Sequence, residues 1–461
     1  MFNREVYIQR RKKLKEQVKE GLILLLGNEE SSMNYKDNWY HFRQDSTFLY
    51  FFGLDRPGLA GIIDLENDTE TVFGEDLTVE EIVWAGSQLP LKVQAERVGV
   101  TSTHPLAILE QAIRRARGKH QKIHFLPPYR PENMLKLSSW LDIAPVALKN
   151  EASVELIKAV VAQRSIKSAE EVVEIEKAVD ITVDMQLAVI RSAQAGMTEA
   201  EIAGKLHGIA ISSGGNLSFP AILTVNGQIL HNHYSTTVLQ QGQIVLCDCG
   251  AESAMHYAGD LTRSFPVSKR FSQQQREVYE IVLNAYTSAL NMLKPGVMYR
   301  DVHLFACEKL VDGLKEIGLM KGDTKEAVAN GAHALFFPCG LGHMMGLDTH
   351  DMEDLGEEFV GYTDELEKST QFGLKSLRLG KALETGFVLT VEPGLYFNPI
   401  LMDSWAAKKQ LHQFINFEKL TAYKAFGGIR IEEDFLITSD GYRKLGKSLP
   451  VAAEDLEALT T

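Results

Sequence analysis

Four apolar, strand-like runs in the second half of the chain each hold an acidic residue where a buried strand usually has an aliphatic one. Burying an isolated carboxylate is costly, so acids in such runs need cations close by. This requirement for nearby cations constrains the fold more than any other feature, because the fewest cations are needed if the four runs converge on the same ones. The runs are IVLCDCG at 244–250, GDLTRSFPV at 259–267, FVLTVEPG at 387–394 and GIRIEEDFLIT at 428–438.

The acids in these runs are candidate metal ligands. Residues alternate between the two faces of a strand, so each run offers one acid to a face, and a single such acid is usually a salt-bridged structural carboxylate. Four together favour a pair of divalent cations, because carboxylate oxygens are hard ligands that suit Mn²⁺, Mg²⁺ and related ions. The four residues are Asp248, Asp260, Glu392 and Glu432.

A histidine completes the predicted ligand set. In PCGLGHMMGLDTHD, at 338–351, His343 follows a glycine-rich approach that lets the backbone come close to a crowded site. Its imidazole widens the choice of metal to Co²⁺, Fe²⁺ or Zn²⁺, although a lone histidine of this kind is more often a core residue. His350 and His231 are candidates for contact with a substrate, with His233 a weaker neighbour, and spacing alone does not choose between them.

The chain divides into two regions of different pattern. Residues 1–155 contain short strand-like pieces, among them TFLYFFGL at 47–54, and helical stretches, which predict a small α/β domain. Beyond them, long helical patterns, one of which opens with a Ser168 and Glu171 capping box, alternate with strand-like runs. Residues 156–461 are therefore expected to form a larger α+β or α/β catalytic domain.

Charge and cysteine content exclude several classes of protein. A formal net charge of −13 and a pI near 5.5 argue against a main role in binding nucleic acid or an anionic membrane. The first apolar run, GLILLLG at 21–27, is too short to span a bilayer and no secretory signal is visible, so a cytoplasmic protein is expected. Four cysteines do not make a disulfide framework in 461 residues, and Cys247 and Cys249 are expected to be small buried hydrophobic residues rather than metal ligands.

The four acids and His343, in their order along the chain, resemble the ligand set of the pita-bread metallopeptidases, the family of methionine aminopeptidase, aminopeptidase P and prolidase. The matching motifs are DCG…GDLTRSFPV, GLGHMMGLDTHD, VLTVEPGLYF and GGIRIEEDFLIT. The stretch FRQDSTFLYFFGLDRPG, at 42–58, also looks like the accessory domain that aminopeptidase P and prolidase share. The resemblance implies an α+β pita-bread catalytic domain, in which two related halves each supply a pair of acids, and a smaller α/β N-terminal accessory domain.

The same resemblance implies a dinuclear metal centre that hydrolyses the bond before proline, an imide whose nitrogen carries no hydrogen. Mn²⁺ is the expected metal, with Co²⁺, Zn²⁺ and Fe²⁺ as alternatives, held by the four acids and His343. Glu392 resembles the family's proton shuttle, and His231 and His350 match histidines that contact the substrate and stabilise the tetrahedral intermediate. Arg430 is expected to orient a metal ligand and to take part in substrate binding.

Two branches of the family remain open. The 40-residue interval from Glu392 to Glu432, the phrase FGGIRIEED and Arg378 resemble prolidase, in which an arginine holds the C-terminal carboxylate of the substrate. The FRQDSTFLYFFG stretch resembles aminopeptidase P at least as well. We expect an Xaa-Pro dipeptidase, with aminopeptidase P as the alternative. Arg378 could instead pair with a surface acid, which would leave the dipeptide preference without a basis.

Two residues depart from the family pattern. Cys339 stands where the family usually has a histidine four residues before the metal-binding one, and Thr349 replaces an aliphatic residue before His350. A neutral thiol is a poor hydrogen-bond donor, so these changes bear on the substrate rather than on the metal.

Other functions on the same fold are a metal-free creatinase-like hydrolase and a non-enzymatic peptide-binding module. The intact ligand set argues against both. The resemblance further implies that proline-containing dipeptides or short peptides are the substrates, that neither nucleic acid nor membrane is a partner, and that the protein is a cytoplasmic homodimer.

Overall fold

The computed structural model describes residues 1–460 and divides into two compact units. The first unit consists of Met1–Arg164 and the short segment Met352–Phe359. The second consists of Ser165–Asp351 and Val360–Thr461. Within the described residues, no helix combines the length and the apolar composition needed to cross a membrane.

Strands and helices alternate along most of the chain. The strands are β1 (Leu22–Leu26), β2 (Ala60–Asp64), β3 (Thr69–Phe73), β4 (Ser102–His104), β5 (Ile123–His124), β6 (Ile222–Thr224), β7 (Ile244–Cys249), β8 (Leu261–Pro266), β9 (Val388–Val391), β10 (Gly394–Tyr396), β11 (Gly428–Arg430), β12 (Glu433–Ile437) and β13 (Tyr442–Lys444). The helices are α1 (Arg4–Gln17), α2 (Ser46–Phe52), α3 (Val79–Ala85), α4 (Leu91–Arg97), α5 (Leu109–Gly118), α6 (Pro131–Leu141), α7 (Leu148–Glu151), α8 (Val154–Ser165), α9 (Ala169–Ser192), α10 (Glu199–Ser212), α11 (Gln273–Leu290), α12 (Tyr299–Glu316), α13 (Thr324–Ala329), α14 (Glu357–Val360), α15 (Pro399–Ala407), α16 (Phe417–Leu420) and α17 (Ala453–Leu459).

The first unit is built on one mixed sheet with the strand order β4-β3-β2-β1-β5. Strand β2 pairs antiparallel with both β1 and β3, whereas β5 and β4 add to the two edges in parallel. The prediction of a small α/β domain in this region is therefore confirmed.

The stretch TFLYFFGL was expected to be strand-like, and this prediction is wrong. It forms most of α2, because the Asp45 side chain accepts a hydrogen bond from the backbone N–H of Phe48 and so caps the first turn. Gly53 ends the helix in the left-handed conformation, with φ of 61°. Six of the seven residues of α2 are buried and are aromatic or carry a hydroxyl, so the apolar residues alone did not reveal the helical period.

The division between the units follows Arg164, whereas the sequence pattern places a domain boundary at residue 155. The difference arises because the C-terminal part of α8 is bonded within the first unit. Arg164 Nη1 donates to Thr47 Oγ1 at 2.9 Å, and the hydroxyl of Tyr50 donates to the carbonyl oxygen of Gln163 at 3.5 Å. Helix α8 therefore groups with the first unit.

The second unit has two similar halves. In the first half, β6, β7 and β8 form an antiparallel sheet against α9, which packs on α10. In the second half, β13, β12 and β9 form an antiparallel sheet and β10 pairs with β11, while α11 packs on α12. Capping boxes begin α9, α10 and α11, and the predicted Ser168 and Glu171 pair begins α9.

Candidate metal centre

Asp248 and Asp260 come from the first half of the second unit. Asp248 lies on β7 opposite Thr262 of β8, and Asp260 immediately precedes β8. Both residues are buried. Arg430 forms an ion pair with Asp248, and the backbone N–H of Asp260 donates to Asp434 Oδ2 at 3.0 Å. Each acid is therefore held by a contact from the second half of the unit.

Glu392 and Glu432 come from that second half. Glu392 directly follows β9, and Glu432 lies between β11 and β12 in an isolated bridge with Thr262. The hydroxyl of Thr262 donates to Glu432 Oε2 at 2.7 Å. The bridge joins the two halves at the point where their acids meet.

The sequence pattern placed all four acids within strands, and the structure corrects this for three of them. Asp248 lies inside β7, whereas Asp260, Glu392 and Glu432 lie at strand ends. Pro393 gives the physical reason at one position, because proline cannot donate to the ladder and so interrupts the strand after Glu392.

Arg263 fixes Glu432 from the opposite side of the bridge. Its Nη1 donates to the carbonyl oxygens of Thr262 and Glu432, each at 3.0 Å, and its Nε donates to the carbonyl oxygen of Pro450 at 2.7 Å. Its Nη2 forms an ion pair with Glu433. This fully buried guanidinium holds the backbone on both sides of the bridge.

His343 presents one ring nitrogen to the acids. Its Nδ1 lies 3.0 Å from the carbonyl oxygen of Met344, which can only accept, so Nδ1 carries a proton and Nε2 is the ring nitrogen available to a metal ion. Nε2 lies 3.4 Å from Asp260 Oδ2 and 3.8 Å from Glu392 Oε1. Ligand atoms of Asp260, His343 and Glu432 lie within 4.8 Å of one another.

Gly342 shows why the approach to His343 is rich in glycine. A Cβ atom at this position would lie 2.1 Å from the carbonyl oxygen of Thr390 and 2.4 Å from the hydroxyl of Tyr299. That hydroxyl donates to the same carbonyl at 2.6 Å, so neither atom can move away cheaply. The close approach predicted from the sequence is therefore present.

The electrostatics of these acids fit a bound cation. Burial, followed by the charges of neighbouring acids, raises the pKa of Asp260 and of Glu432 well above the usual range. Burial also raises the pKa of Glu392 to about 7, against the opposing charge of Arg430. Asp248 Oδ1 and Asp260 Oδ1 are buried without a hydrogen-bond partner. Hard carboxylate donors with unused oxygens and mutual repulsion are what divalent cations stabilise.

A cavity of about 250 Å³ opens onto the acids, and the predicted substrate-binding residues line it. The rings of His343 and His350 meet edge to face, with centroids 4.4 Å apart. Partial burial and then the charge of Arg430 lower the pKa of His231, which keeps its imidazole neutral. His233 also lines the cavity, and its Nδ1 lies 3.3 Å from the carbonyl oxygen of Ala221.

The residues that the sequence suggested would bear on the substrate line the same cavity. Arg378, Cys339 and Thr349 all line the cavity. Burial, followed by the charge of Glu392, raises the pKa of the Cys339 thiol to about 12, so the thiol is neutral. A small neutral group therefore stands where the family usually has a histidine.

Three residues that organise this centre were not assigned a role from the sequence, namely Thr262, Tyr396 and Arg263. Arg430 Nε donates to Thr262 Oγ1 at 3.2 Å, and its Nη1 donates to the hydroxyl of Tyr396 at 2.8 Å. Tyr396 and Arg263 gave no signal, because their partners lie far away along the chain. Thr262 could have been found, since it follows Asp260 by two residues and so shares its face of the strand.

Comparison with known proteins agrees with this arrangement. The model of metallopeptidase family M24 matches residues 173–439, which is more than half of the chain. The model of the aminopeptidase P N-terminal domain matches residues 7–124.

Individual relatives match over nearly the full length. The chain is 30% identical over 450 residues to the Xaa-Pro dipeptidase of Homo sapiens, covering 95% of this chain and 88% of that protein. It is 30% identical over 478 residues to the Xaa-Pro aminopeptidase of Escherichia coli, covering 99% of this chain and 98% of that protein.

Solved structures of aminopeptidase P from E. coli match the whole fold. The low-pH form has a TM-score of 0.81 and 28% identity, covering 100% of this chain and 98% of that one. The zinc-substituted form in complex with product has a TM-score of 0.80 and 28% identity, covering 99% and 98%. The chain therefore belongs to metallopeptidase family M24, with a pita-bread catalytic domain that follows an N-terminal domain of the aminopeptidase P type.

Proposed function

We propose that this M24 metallopeptidase is an Xaa-Pro dipeptidase, which hydrolyses the imide bond between the two residues of a dipeptide that ends in proline. The observation that carries this proposal is the position of Arg378, which lines the same cavity as the buried acids, His231 and His350. The similarity to the Xaa-Pro dipeptidase of Homo sapiens supports the proposal.

The five residues predicted as ligands are proposed to hold two divalent ions. Such ions, when bound, polarise a carbonyl oxygen and make water nucleophilic at neutral pH. Mn²⁺ is the proposed metal, because four of the five donors are carboxylates and only one is an imidazole. The ligands are Asp248, Asp260, His343, Glu392 and Glu432.

Three side chains are proposed to act on the substrate. Glu392 has a raised pKa and is less buried than the other acids, so it is suited to take up the proton of the attacking water and pass it to the leaving imino nitrogen. His231 and His350 line the cavity beside it and are proposed to donate to the oxygen that develops negative charge. Arg430 holds Asp248 and lines the same cavity, so it orients one ligand and adds positive potential.

Arg378 is proposed to bind the C-terminal carboxylate of the dipeptide. A guanidinium presents two parallel N–H donors that match a carboxylate, and such charge-assisted bonds are stronger than neutral ones. A longer peptide would place an uncharged amide where the carboxylate of a dipeptide would lie and would lose that charge-assisted bond. The enzyme should therefore prefer Ala-Pro to Ala-Pro-Ala.

The proposal is tested by hydrolysis of Ala-Pro and Ala-Pro-Ala by the metal-stripped protein, with and without Mn²⁺. Activity should need Mn²⁺ and be confined to the dipeptide. Arg378→Ala should lower kcat/KM for Ala-Pro by roughly 10- to 150-fold, the loss of about 1.5–3 kcal/mol expected for a hydrogen bond to a charged group. Arg378→Lys should recover only part of this, and Arg443→Ala, at an exposed ion pair with Glu176, should change nothing.

The second candidate is aminopeptidase P activity, which the matching N-terminal domain and the E. coli structures favour. Cleavage of Ala-Pro-Ala as well as or better than Ala-Pro, unaffected by Arg378→Ala, would establish it and reject the carboxylate clamp. If neither peptide is cleaved with Mn²⁺ bound, Cys339 is the residue to change first, and Cys339→His should then create activity on one of them.

The cytoplasmic location and the homodimer stay predictions. The second is checked by the mass of the purified protein in solution, and a monomer at micromolar concentration would reject it.

A further inference from the structure

A second group of metal-binding side chains lies in the second unit, apart from the carboxylate centre. His303 and Cys307 are four residues apart on α12, so they share one face of that helix. His333 lies in the 3₁₀ turn Ala332–Leu335. One ligand atom from each of these three residues lies within 4.8 Å of the other two. We call these three residues the His–Cys cluster.

The cluster is buried and short of hydrogen bonds. His303 and Cys307 are fully buried and His333 is 1% exposed. Neither ring nitrogen of His333 has a hydrogen-bond partner, and Nδ1 of His303 has none. The carbonyl oxygen of Val328 lies near enough to His333 to raise its pKa slightly, against the larger lowering by burial, but no bond of standard geometry forms. An unsatisfied buried polar group is destabilising, so these atoms need a partner.

The one short contact in the cluster has the spacing of two ligands of one ion. His303 Nε2 lies 3.5 Å from Cys307 Sγ. A tetrahedral zinc ion with Zn–N of about 2.0–2.1 Å and Zn–S of about 2.3 Å holds its nitrogen and sulfur ligands about 3.5 Å apart. A thiol-to-imidazole hydrogen bond would satisfy the same two atoms, but it would leave His333 without a partner.

We propose that His303, Cys307 and His333 bind one Zn²⁺ ion at a site that is separate from the carboxylate centre. Two imidazoles and a thiolate are borderline and soft donors, which suit Zn²⁺ and suit Mn²⁺ poorly. Zinc binds neutral imidazole and thiolate, so binding would release the Cys307 proton.

The position of His333 gives the ion a structural consequence. The turn that holds it leads through the buried Phe336 and Phe337 to Cys339, which lines the cavity of the carboxylate centre. The ring of Phe337 also packs 5.7 Å from that of His303. An ion that joins α12 to the turn therefore fixes one wall of the cavity without touching the acids.

Cobalt binding to the metal-free, full-length protein tests the site. A thiolate-to-cobalt charge-transfer band in the near ultraviolet should appear, because none of the five ligands proposed for the carboxylate centre is a cysteine. Cys307→Ser and His333→Gln should each lose this band and one equivalent of bound metal. Cys339→Ser is the matched control, since Cys339 lines the cavity of the carboxylate centre, and it should keep both the band and the equivalent.

Two results would overturn the proposal. One is a wild-type protein that binds Co²⁺ without a charge-transfer band. The other is a band that Cys339→Ser removes and Cys307→Ser leaves intact, which would assign the sulfur to the carboxylate centre.

A stability measurement covers the case in which Cys307→Ser does not fold. With Mn²⁺ saturating the carboxylate centre, added Zn²⁺ should raise the Tm of the wild-type protein and should not raise that of His333→Gln. An equal Zn²⁺-dependent rise in both proteins would reject His333 as a ligand. The test does not depend on hydrolysis, so it stands even if the proposed dipeptidase activity fails.

Discussion

The two units of this protein differ in how completely their buried ionisable groups are hydrogen-bonded. In the first unit, the fully buried Arg11 donates to the carbonyl oxygens of Phe51 and Val98 at 2.8 Å and to Glu70 at 2.6 Å. His124 is also fully buried, and both of its ring nitrogens have partners.

In the second unit, by contrast, some buried ionisable side chains have polar atoms without a hydrogen-bond partner. Asp248 Oδ1, Asp260 Oδ1 and both nitrogens of His333 make no hydrogen bond. Burial and the charges of the neighbouring acids raise the pKa of Asp260 well above its usual value, so the charged form of that carboxyl is costly without a cation. A buried polar group with all its bonds made is part of the scaffold, whereas a cluster with bonds left unmade needs a ligand.

Replacing Glu432 is the most direct test of this difference between scaffold groups and ligand-binding groups. Glu432→Gln should lower kcat/KM by about 10³-fold or more, since a catalytic metal contributes several kcal/mol and each 1.36 kcal/mol is tenfold. The metal-free variant should be as stable as the metal-free wild type or more so, because one repelling acid is gone. Kinetics and urea unfolding check the two halves of this prediction, and a strongly destabilised variant would show that Glu432 belongs to the scaffold.

Replacing Arg11 should have the reverse effect, a loss of stability without a loss of activity. Arg11→Met should lower the free energy of unfolding by about 3–5 kcal/mol, because it leaves two buried carbonyl oxygens and a carboxylate without their donor. Its kcat at a temperature where the variant is folded should equal that of the wild type. A fall in kcat without a loss of stability would mean that the satisfied groups of the first unit also have a functional role.

Thr262 lies between the ligand-binding groups and the scaffold groups, since it is not a predicted ligand but its hydroxyl donates to one, Glu432. Thr262→Val keeps the shape of the side chain but removes the donor to Glu432 and the acceptor for Arg430. Metal affinity should fall by roughly 10- to 100-fold, the usual effect of losing a group that orients a ligand. Thr182→Val, a buried threonine on α9, is the control, and equal affinity loss in both variants would point to general damage to the fold.

The smallest expected effect is the contribution of His124 to the pH dependence of the free energy of unfolding. Burial lowers its pKa, so below its ordinary value near 6.5 the unfolded chain binds a proton that the folded chain does not. The free energy of unfolding should therefore fall as the pH falls below about 6.5, by at most about 1.4 kcal/mol per pH unit from this group.

The variant His124→Gln should remove that part of the slope, while the exposed control His412→Gln should not. Unfolding in urea between pH 7 and pH 5 measures the difference. Identical slopes in all three proteins would mean that His124 takes up its proton without unfolding.

The same contrast explains what the sequence could predict. Asp248, Asp260, Glu392 and Glu432 were visible because each interrupts an apolar run, and the cost of burying a charge holds for any fold. Helix α2 was not, because its dense apolar composition hides the helical period and only the Asp45 cap distinguishes it from a strand.

Contacts between residues that are far apart in the sequence could not be predicted either. Arg263 was missed because its partners near Leu449 and Pro450 follow it by more than 180 residues, and nothing local indicates that they meet. The His–Cys cluster was missed because His333 joins α12 only through the tertiary fold, whereas the i, i+4 spacing of His303 and Cys307 was there to be seen.

The bridge between Thr262 and Glu432 has a consequence for how the protein matures. Its two residues are 170 positions apart, so the first half of the unit leaves the ribosome without the partner that completes its centre. At about 5–20 residues per second, synthesis separates the two by roughly 10–30 s. During that interval the proposed ligands are made one after another, first Asp248 and Asp260 and then His343 and Glu392, so the set is complete only once Glu432 has been added.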